Sequence, residues 1–217
     1  MKQSFEDEVD GFANGLEELM KLDEVDRENI YLFGHSLGGN VAPILGKRYN
    51  VAGIMVYGTL VKPWEDYLLD MARYSQPLQE PDLLAAEKSI PLLKQIHKKI
   101  YHQNIPLSRL SETEKALLTS RYDLKEDAYI FNREFEFWKG FNEIDFFSYW
   151  NEVKVPVLAM YGSTDVHAIS ATDTEHIAHI VNKNYPGKAT YKLVEGTDHL
   201  FARVDSKLEE MEYIMGD

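Results

Sequence analysis

The chain lacks cysteine and is short of basic residues. The absence of cysteine excludes disulfides and thiolate metal sites, and it is compatible with any redox compartment. The 23 Lys and Arg residues face 36 Asp and Glu residues, for a net charge of −13. Nucleic-acid binding depends on neutralising phosphates with basic side chains, so this balance argues against a nucleic-acid partner.

Two further signals are missing. No stretch of the 217 residues is apolar enough for a membrane span, and the first residues lack the apolar core of a secretory signal. We therefore expect no membrane span and, by default, a cytoplasmic location. There is also no Gly-x-Gly-x-x-Gly phosphate loop, and the sequence predicts neither a cofactor nor a metal.

The most informative segment is a Gly-x-Ser-x-Gly turn between an apolar strand pattern and a helix of small residues. It reads Gly34-His35-Ser36-Leu37-Gly38-Gly39. In such a strand-turn-helix elbow the serine lies at a strained apex, and we expect the flanking glycines to lie where a Cβ would clash. The spacing predicts Ser36 as a nucleophile, the alternative being a structural turn.

A serine hydroxyl needs a base, and the base needs an acid to orient it. The buried-strand pattern at 156–161 is followed by Asp165, and the pattern at 189–194 is followed by His199. Asp165 has an alternative role as a turn or helix cap. Asp198 and His167 remain alternatives for the acid and the base.

The three motifs, in the order Ser36, Asp165, His199, resemble the alpha/beta-hydrolase superfamily. The resemblance implies a three-layer α/β fold with a parallel sheet. It also makes Ser36 the nucleophile, His199 the general base and then acid, and Asp165 the residue that orients His199. The backbone N–H of Leu37 would supply one oxyanion donor, and the second donor has no counterpart in the sequence.

The residues before Ile30 form one amphipathic pattern with apolar positions at Phe5, Val9, Phe12, Leu16, Leu19 and Met20, and no strand pattern precedes Ile30. The resemblance therefore implies an N-terminally truncated fold that begins with the helix before the nucleophile strand. That strand would lack a neighbour, and an open parallel edge favours association. We expect a homo-oligomer that covers the edge.

About ninety residues separate the strand pattern at 52–57 from the one at 156–161, far more than a simple crossover needs. We predict a core of residues 1–61 and 154–217 and a helical insertion of residues 62–153, which in this family resembles a cap or lid. Breaks are expected at Pro77, Pro81, Pro91 and Pro106, and Ser111 to Glu114 matches a capping box.

The end of the insertion is rich in aromatic residues, and Phe131, Phe135 and Trp138 are predicted to share a helical face. The rings either form the core of the insertion or line an apolar substrate pocket.

Two helical patterns follow the insertion. His176 and His179, with Asp173, could form a metal site on a helix over 172–182, but a solvated helix face is the favoured explanation. A closing helix over 202–215 is expected to bury Val204, Leu208, Met211 and Ile214.

These observations predict a serine hydrolase that cleaves an ester, or a thioester or amide, through an acyl-enzyme. The substrate is then a small molecule or a peptide. A serine peptidase or thioesterase of the same fold is an alternative. A second class of alternative is a catalytically impaired fragment or pseudoenzyme, because one oxyanion donor is unaccounted for.

Overall fold

The structure is a computed structural model that describes residues 3–75, 83–126 and 128–215. Its chain divides into two compact units. We call Met1–Asp7 with Pro63–Ile144 the helical unit, and Glu8–Lys62 with Asp145–Asp217 the sheet unit.

A parallel four-stranded sheet is the centre of the sheet unit. Its strands are β1 (Tyr31–His35), β2 (Gly53–Tyr57), β5 (Val157–Gly162) and β6 (Ala189–Val194), which lie side by side in that order with β1 at one edge. The predicted strands are confirmed, with ends shifted by at most two residues. A separate hairpin holds β3 (Tyr129–Ile130) and β4 (Arg133–Glu134).

Helices make the crossovers that parallel strands require. The second helix connects β1 to β2 and packs on both, and the eighth connects β5 to β6 in the same way. The helices are α1 (Phe5–Leu19), α2 (Gly38–Arg48), α3 (Trp64–Asp70), α4 (Leu83–His97), α5 (Glu112–Tyr122), α6 (Phe135–Asn142), α7 (Phe146–Asn151), α8 (Thr172–Asn184) and α9 (Lys207–Met215).

Aromatic rings fill the helical unit. Trp64 and Trp138 stack with their ring centroids 4.1 Å apart, and Phe5 meets Phe141 edge-to-face at 4.9 Å. Phe135 and Phe137 are also buried, so these rings form core. Phe131 does not share a helix with Phe135 and Trp138, because it lies in the turn between β3 and β4 with φ at 49°.

The predicted capping box is confirmed. The Ser111 hydroxyl accepts the N–H of Glu114 at 3.3 Å, and the Glu114 carboxylate accepts the N–H of Ser111 at 2.9 Å. A chain break at Pro106 is also found, because this residue precedes the short 3-10 turn Leu107–Arg109. The break expected at Pro91 is wrong, since α4 continues through it with Ile90 and Leu93 buried. Pro77 and Pro81 lie outside the described residues.

Two helix predictions need correction. The first helix buries Phe5, Val9, Ala13 and Leu16, while Phe12 and Leu19 are exposed on its flank. The closing helix begins only at Lys207, because the preceding residues are hydrogen-bonded back to the loop after β6 through contacts such as Val204 N–H to Gly196 O. In that closing helix Met211 is buried as expected, Leu208 is exposed, and Val204 lies before its first turn.

Within the described residues, no helix combines the length and the apolar character that crossing a bilayer requires.

Candidate active site

Ser36 lies between β1 and α2 at a strained backbone position. Its φ is 53°, in the left-handed region that residues with a side chain rarely occupy. The N–H of Ser36 donates to the carbonyl of Tyr57 at 3.0 Å, and the carbonyl of Ser36 accepts the N–H of Gly39 at 2.9 Å. The surrounding structure thus holds a conformation that would otherwise cost free energy. This is the strand-turn-helix geometry that the sequence pattern around Ser36 predicts.

The glycines of the elbow differ in their importance. A Cβ on Gly34 would lie 2.4 Å from the carbonyl oxygen of Gly38, and one on Gly39 would lie 2.4 Å from the side chain of Thr59. Both positions therefore require glycine. A Cβ on Gly38 would meet nothing within 4 Å, so the expectation of a clash there is wrong.

Asp165 and His199 are in direct contact. Asp165 follows β5, His199 follows β6, and the His199 Nδ1 to Asp165 Oδ2 distance is 2.8 Å. Both side chains are buried, with Asp165 fully inaccessible. A carboxylate only accepts hydrogen bonds, so Nδ1 of His199 carries a proton, and in the neutral imidazole Nε2 then holds a lone pair. That tautomer is the one a general base needs.

The second oxygen of Asp165 fixes the carboxylate in place. Its Oδ1 accepts the backbone N–H groups of His167 and Ala168, each at 2.8 Å. The hydroxyl of Tyr161 also donates to the backbone carbonyl of Asp165 at 2.7 Å. Burial raises the pKa of Tyr161, which keeps this phenol a hydrogen-bond donor.

Gly58 also lies against the Asp165–His199 pair. It follows β2 with φ at +56°, and a Cβ there would lie 2.7 Å from Asp165 Oδ2 and 2.9 Å from His199 Nδ1. The Asp165–His199 pair therefore occupies the space that a side chain at position 58 would fill. No sequence signal marks this role, because it depends on three strand ends meeting.

The alternatives for acid and base have other contacts. The Asp198 carboxylate accepts the backbone N–H groups of Leu200 and Ala202, and so shapes its own loop. The ring of His167 stacks on the ring of His199 with centroids 4.9 Å apart. A hydrogen bond to Glu210 raises the pKa of His167, which favours its charged form.

His35 borders the pair on its other side. Its Nε2 lies 2.8 Å from the carbonyl oxygen of His199, which can only accept, so Nε2 carries a proton. The two imidazole rings are 4.6 Å apart. Burial lowers the pKa of His35 and favours its neutral form. His35 therefore links the chain segment of Ser36 to the loop of His199.

Two predicted groups remain available for a substrate. Across the described residues, neither the Ser36 hydroxyl nor the Leu37 backbone N–H makes a hydrogen bond. Catalytic hydrogen bonds are often long in unliganded enzymes, so this is compatible with a role for Ser36. The structure brings Asp165 and His199 together, and it places Ser36 at the same carboxyl edge of the sheet, next to His35.

Three residues with metal-ligating atoms meet beside the pair. Within the described residues, ligand atoms of Asp165, His167 and Glu210 lie within 4.8 Å of one another. In the structure these atoms serve as hydrogen-bond and ion-pair partners, with His167 Nδ1 3.6 Å from Glu210 Oε1. The metal group considered for α8 does not form a common site. His176 and His179 are exposed, whereas Asp173 is buried and paired with Lys62.

A cavity of about 250 Å³ opens in the helical unit. Its walls include Ile100, Leu107, Tyr129, Phe135 and Lys139, and none of the predicted site residues lines it.

The sequence similarity of this chain to known proteins is low. No protein-family profile matches the chain. An esterase of Thermotoga maritima, EstD, is 20% identical over 191 residues, which are 87% of this chain and 39% of that protein. The chain therefore spans about two fifths of the length of this relative.

Solved structures of an esterase and a lipase share the fold of this chain. A monoacylglycerol lipase of Paleococcus ferrophilus aligns with a TM-score of 0.50 and 17% identity, covering 91% of this chain and 67% of the lipase. An esterase of Pyrococcus furiosus aligns with a TM-score of 0.51 and 13% identity, covering 90% of this chain and 55% of the esterase. The parallel sheet and these similarities show that the chain has the fold of the alpha/beta-hydrolase superfamily.

Proposed function

We propose that this chain is a serine hydrolase that cleaves an ester through an acyl-enzyme, with Ser36, His199 and Asp165 as its catalytic triad. The observation that carries the proposal is the buried hydrogen bond between His199 Nδ1 and Asp165 Oδ2, 2.8 Å long. It gives His199 the tautomer of a general base. The strained φ of 53° at Ser36 supports the role of nucleophile, since strain of this kind is concentrated at functional positions.

In the first half of the reaction, His199 Nε2 takes the hydroxyl proton as the Ser36 oxygen attacks the substrate carbonyl. Asp165 stabilises the imidazolium that forms. The Leu37 N–H donates to the oxyanion of the tetrahedral intermediate. His199 then protonates the leaving alcohol, and the acyl group stays on Ser36.

In the second half, His199 Nε2 takes a proton from water, and the resulting hydroxide attacks the acyl carbonyl. Collapse of this second intermediate returns the proton to Ser36 and releases the acid. All the groups named belong to the sheet unit.

Esters are the proposed substrate class because EstD and the solved structures described above carry the names of esterases and a lipase. Thioesters and amides follow the same chemistry, and a peptidase or thioesterase is the alternative. We propose residues 62–153 as the helical insertion of this hydrolase.

Covalent labelling tests the proposal. A fluorophosphonate reacts with an activated serine by forming a bond between the serine oxygen and phosphorus while fluoride leaves. Stoichiometric labelling at Ser36, assigned by mass spectrometry, is expected. Ser36→Ala should abolish the label and His199→Ala should slow it by at least about 10³-fold.

The controls distinguish the proposed serine hydrolase from a catalytically impaired fragment. Circular dichroism of both variants should match the unsubstituted chain. His176→Ala removes an exposed histidine from the same unit and should label normally. A folded chain that takes no label would contradict the proposal and favour the catalytically impaired fragment, in which the missing oxyanion donor leaves the carbonyl unactivated.

We also propose a homo-oligomer in which a second copy covers the edge of β1. Among the residues that the structure describes, this strand pairs with β2 alone, and it exposes the large apolar side chains of Tyr31 and Phe33. An open edge strand with exposed apolar residues is a template for association.

A further inference from the structure

Glu210 is a buried carboxylate that has no role in the proposed reaction. It lies on α9 and is 2% exposed. A buried charge is costly unless hydrogen bonds or counter-charges satisfy it. Hydrogen bonds next to the Asp165–His199 pair satisfy the Glu210 carboxylate.

Those contacts reach both loops that carry the pair. Oε2 of Glu210 accepts the backbone N–H of Val166, the residue after Asp165, at 2.7 Å. Oε1 accepts the backbone N–H of His199 itself at 3.3 Å. One side chain thus satisfies one donor in the loop after β5 and one in the loop after β6.

Each of the two loops contains a residue with an unfavourable backbone conformation, so each loop needs support from outside. Ile169 has φ at 69° and Phe201 has φ at 65°. These values are unfavourable for residues with large side chains, and a β-branched residue makes the first a clear outlier. Strained backbone persists only where the surrounding structure holds it.

The remaining hydrogen bonds between the loops lie near the strand ends. Ser163 N–H donates to Val194 O at 3.0 Å, Gly196 N–H donates to the Ser163 hydroxyl at 2.8 Å, and Thr164 N–H donates to Thr197 O at 3.3 Å. Glu210 acts further out, at the level of the catalytic side chains. One turn earlier on the same helix, Lys207 Nζ donates to the carbonyl of Ile169 at 2.6 Å.

We propose that Glu210 is a positioning residue, whose carboxylate holds the loop of Asp165 against the loop of His199 by accepting the N–H groups of Val166 and His199. It touches no reacting atom and acts through the geometry of the pair. This inference rests on the proposed function for its effect on rate. Its structural content, the held hydrogen bond between His199 and Asp165, does not depend on that function.

Two substitutions test it in the full chain. Glu210→Gln keeps the size, but its amide nitrogen cannot accept the second N–H. Glu210→Asp keeps the charge, but its shorter side chain cannot reach both loops. Both variants should label at Ser36 about 10- to 100-fold more slowly, the loss that small displacements of catalytic groups cause. Glu212→Gln makes the same charge change at an exposed position of α9 and should label normally.

A second readout separates positioning from mere stability. The proton on His199 Nδ1 should give a downfield NMR resonance, and this resonance should shift or broaden in both Glu210 variants under conditions where each is fully folded. Unchanged labelling and an unchanged resonance in the folded variants would overturn the proposal. If the chain takes no label at all, the proposed function fails, but the resonance still decides the role of Glu210.

Hydrogen exchange on the unsubstituted chain covers the case in which neither variant folds. The Val166 and His199 amides should exchange as slowly as those of the central strands, because both are bonded to a buried group. Rapid exchange of these two amides while α9 stays protected would overturn the proposal.

Discussion

At the residue scale, Asp165 uses its two carboxylate oxygens for different tasks. Oδ1 accepts two backbone N–H groups of its own loop, and Oδ2 accepts the proton-bearing Nδ1 of His199. The first oxygen determines where the second one lies. Because the two tasks are separate, a substitution can remove one and keep the other.

Asp165→Asn is such a substitution. The amide oxygen can replace Oδ1 and keep the loop, and the NH₂ group then faces Nδ1 of His199. This imposes the tautomer with the proton on Nε2, so the base is lost. We expect the rate of Ser36 labelling to fall by about 10³- to 10⁴-fold, with little loss of stability. Asp205→Asn, an exposed carboxylate in the same unit, is the control, and a normal rate in Asp165→Asn would contradict the role of Asp165.

Gly58→Ala tests the packing behind the pair. The new methyl group would lie 2.7 Å from Asp165 Oδ2, and the positive φ of 56° would add backbone strain. We expect Ser36 labelling to slow by at least about 10²-fold, because the pair must shift to make room. The measurement is the labelling rate of folded protein at a temperature well below its unfolding transition.

The matched control is Gly15→Ala in α1, where a Cβ meets nothing within 4 Å. It should label normally and gain about 0.5–1 kcal/mol of stability from the higher helix propensity of alanine. Equal labelling rates in the two variants would show that space behind the pair is not limiting.

At the scale of the elements, α4 contains a histidine in an unfavourable setting. His97 is 2% exposed and packs against the rings of Tyr101 and Tyr122. Neither of its ring nitrogens has a hydrogen-bond partner among the described residues. Burial lowers the pKa of His97 from 6.5 to about 4.

This pKa predicts acid sensitivity. The unfolded chain binds a proton at His97 below pH 6.5 and the folded chain only below about pH 4, so stability falls as the pH drops between these values and then levels off. Between pH 8 and pH 5 the loss due to His97 should be about 2 kcal/mol. Urea unfolding of His97→Leu should show a correspondingly smaller drop than the unsubstituted chain.

The exposed His179 on α8 gives the comparison for that experiment. His179→Leu should leave the pH dependence as it is in the unsubstituted chain. If the free energy of unfolding falls by the same amount in His97→Leu and in the unsubstituted chain on acidification, the predicted contribution of His97 to acid sensitivity is wrong.

At the scale of the whole molecule, the edge of β1 predicts the assembly state. Phe33 on this strand is 52% exposed, and Phe12 on α1 is similarly exposed at 58%. Light scattering of the unsubstituted chain should give at least a dimer. Phe33→Lys should shift it toward monomer because a lysine on an edge strand opposes pairing, whereas Phe12→Lys should not. A monomeric unsubstituted chain would refute the proposed oligomer.

Much of the architecture follows from local patterns. The four sheet strands were predictable because continuous runs of apolar residues such as Val157–Gly162 mark buried parallel strands. The elbow was predictable because few residue types fit the turn around Ser36. The capping box at Ser111 was predictable because its two hydrogen bonds join residues three positions apart.

Local patterns failed where distant contacts decide. Pro91 indicates a break, but the burial of Ile90 and Leu93 keeps α4 continuous. The closing helix begins later than its apolar pattern suggests because the Val204 N–H is bonded to Gly196 instead of to a helical carbonyl. In the first case tertiary contacts outweigh a helix-breaking preference of about 3 kcal/mol.

The sequence by itself determined the kind of fold and the residue types available for chemistry, because apolar periodicity and strand-end motifs are local properties. Only the tertiary structure decided that Gly58 must lack a side chain and that Glu210 joins two loops. Both roles arise where the ends of strands far apart in the chain meet, and the pairing of groups across such distances leaves no periodic signal in the sequence.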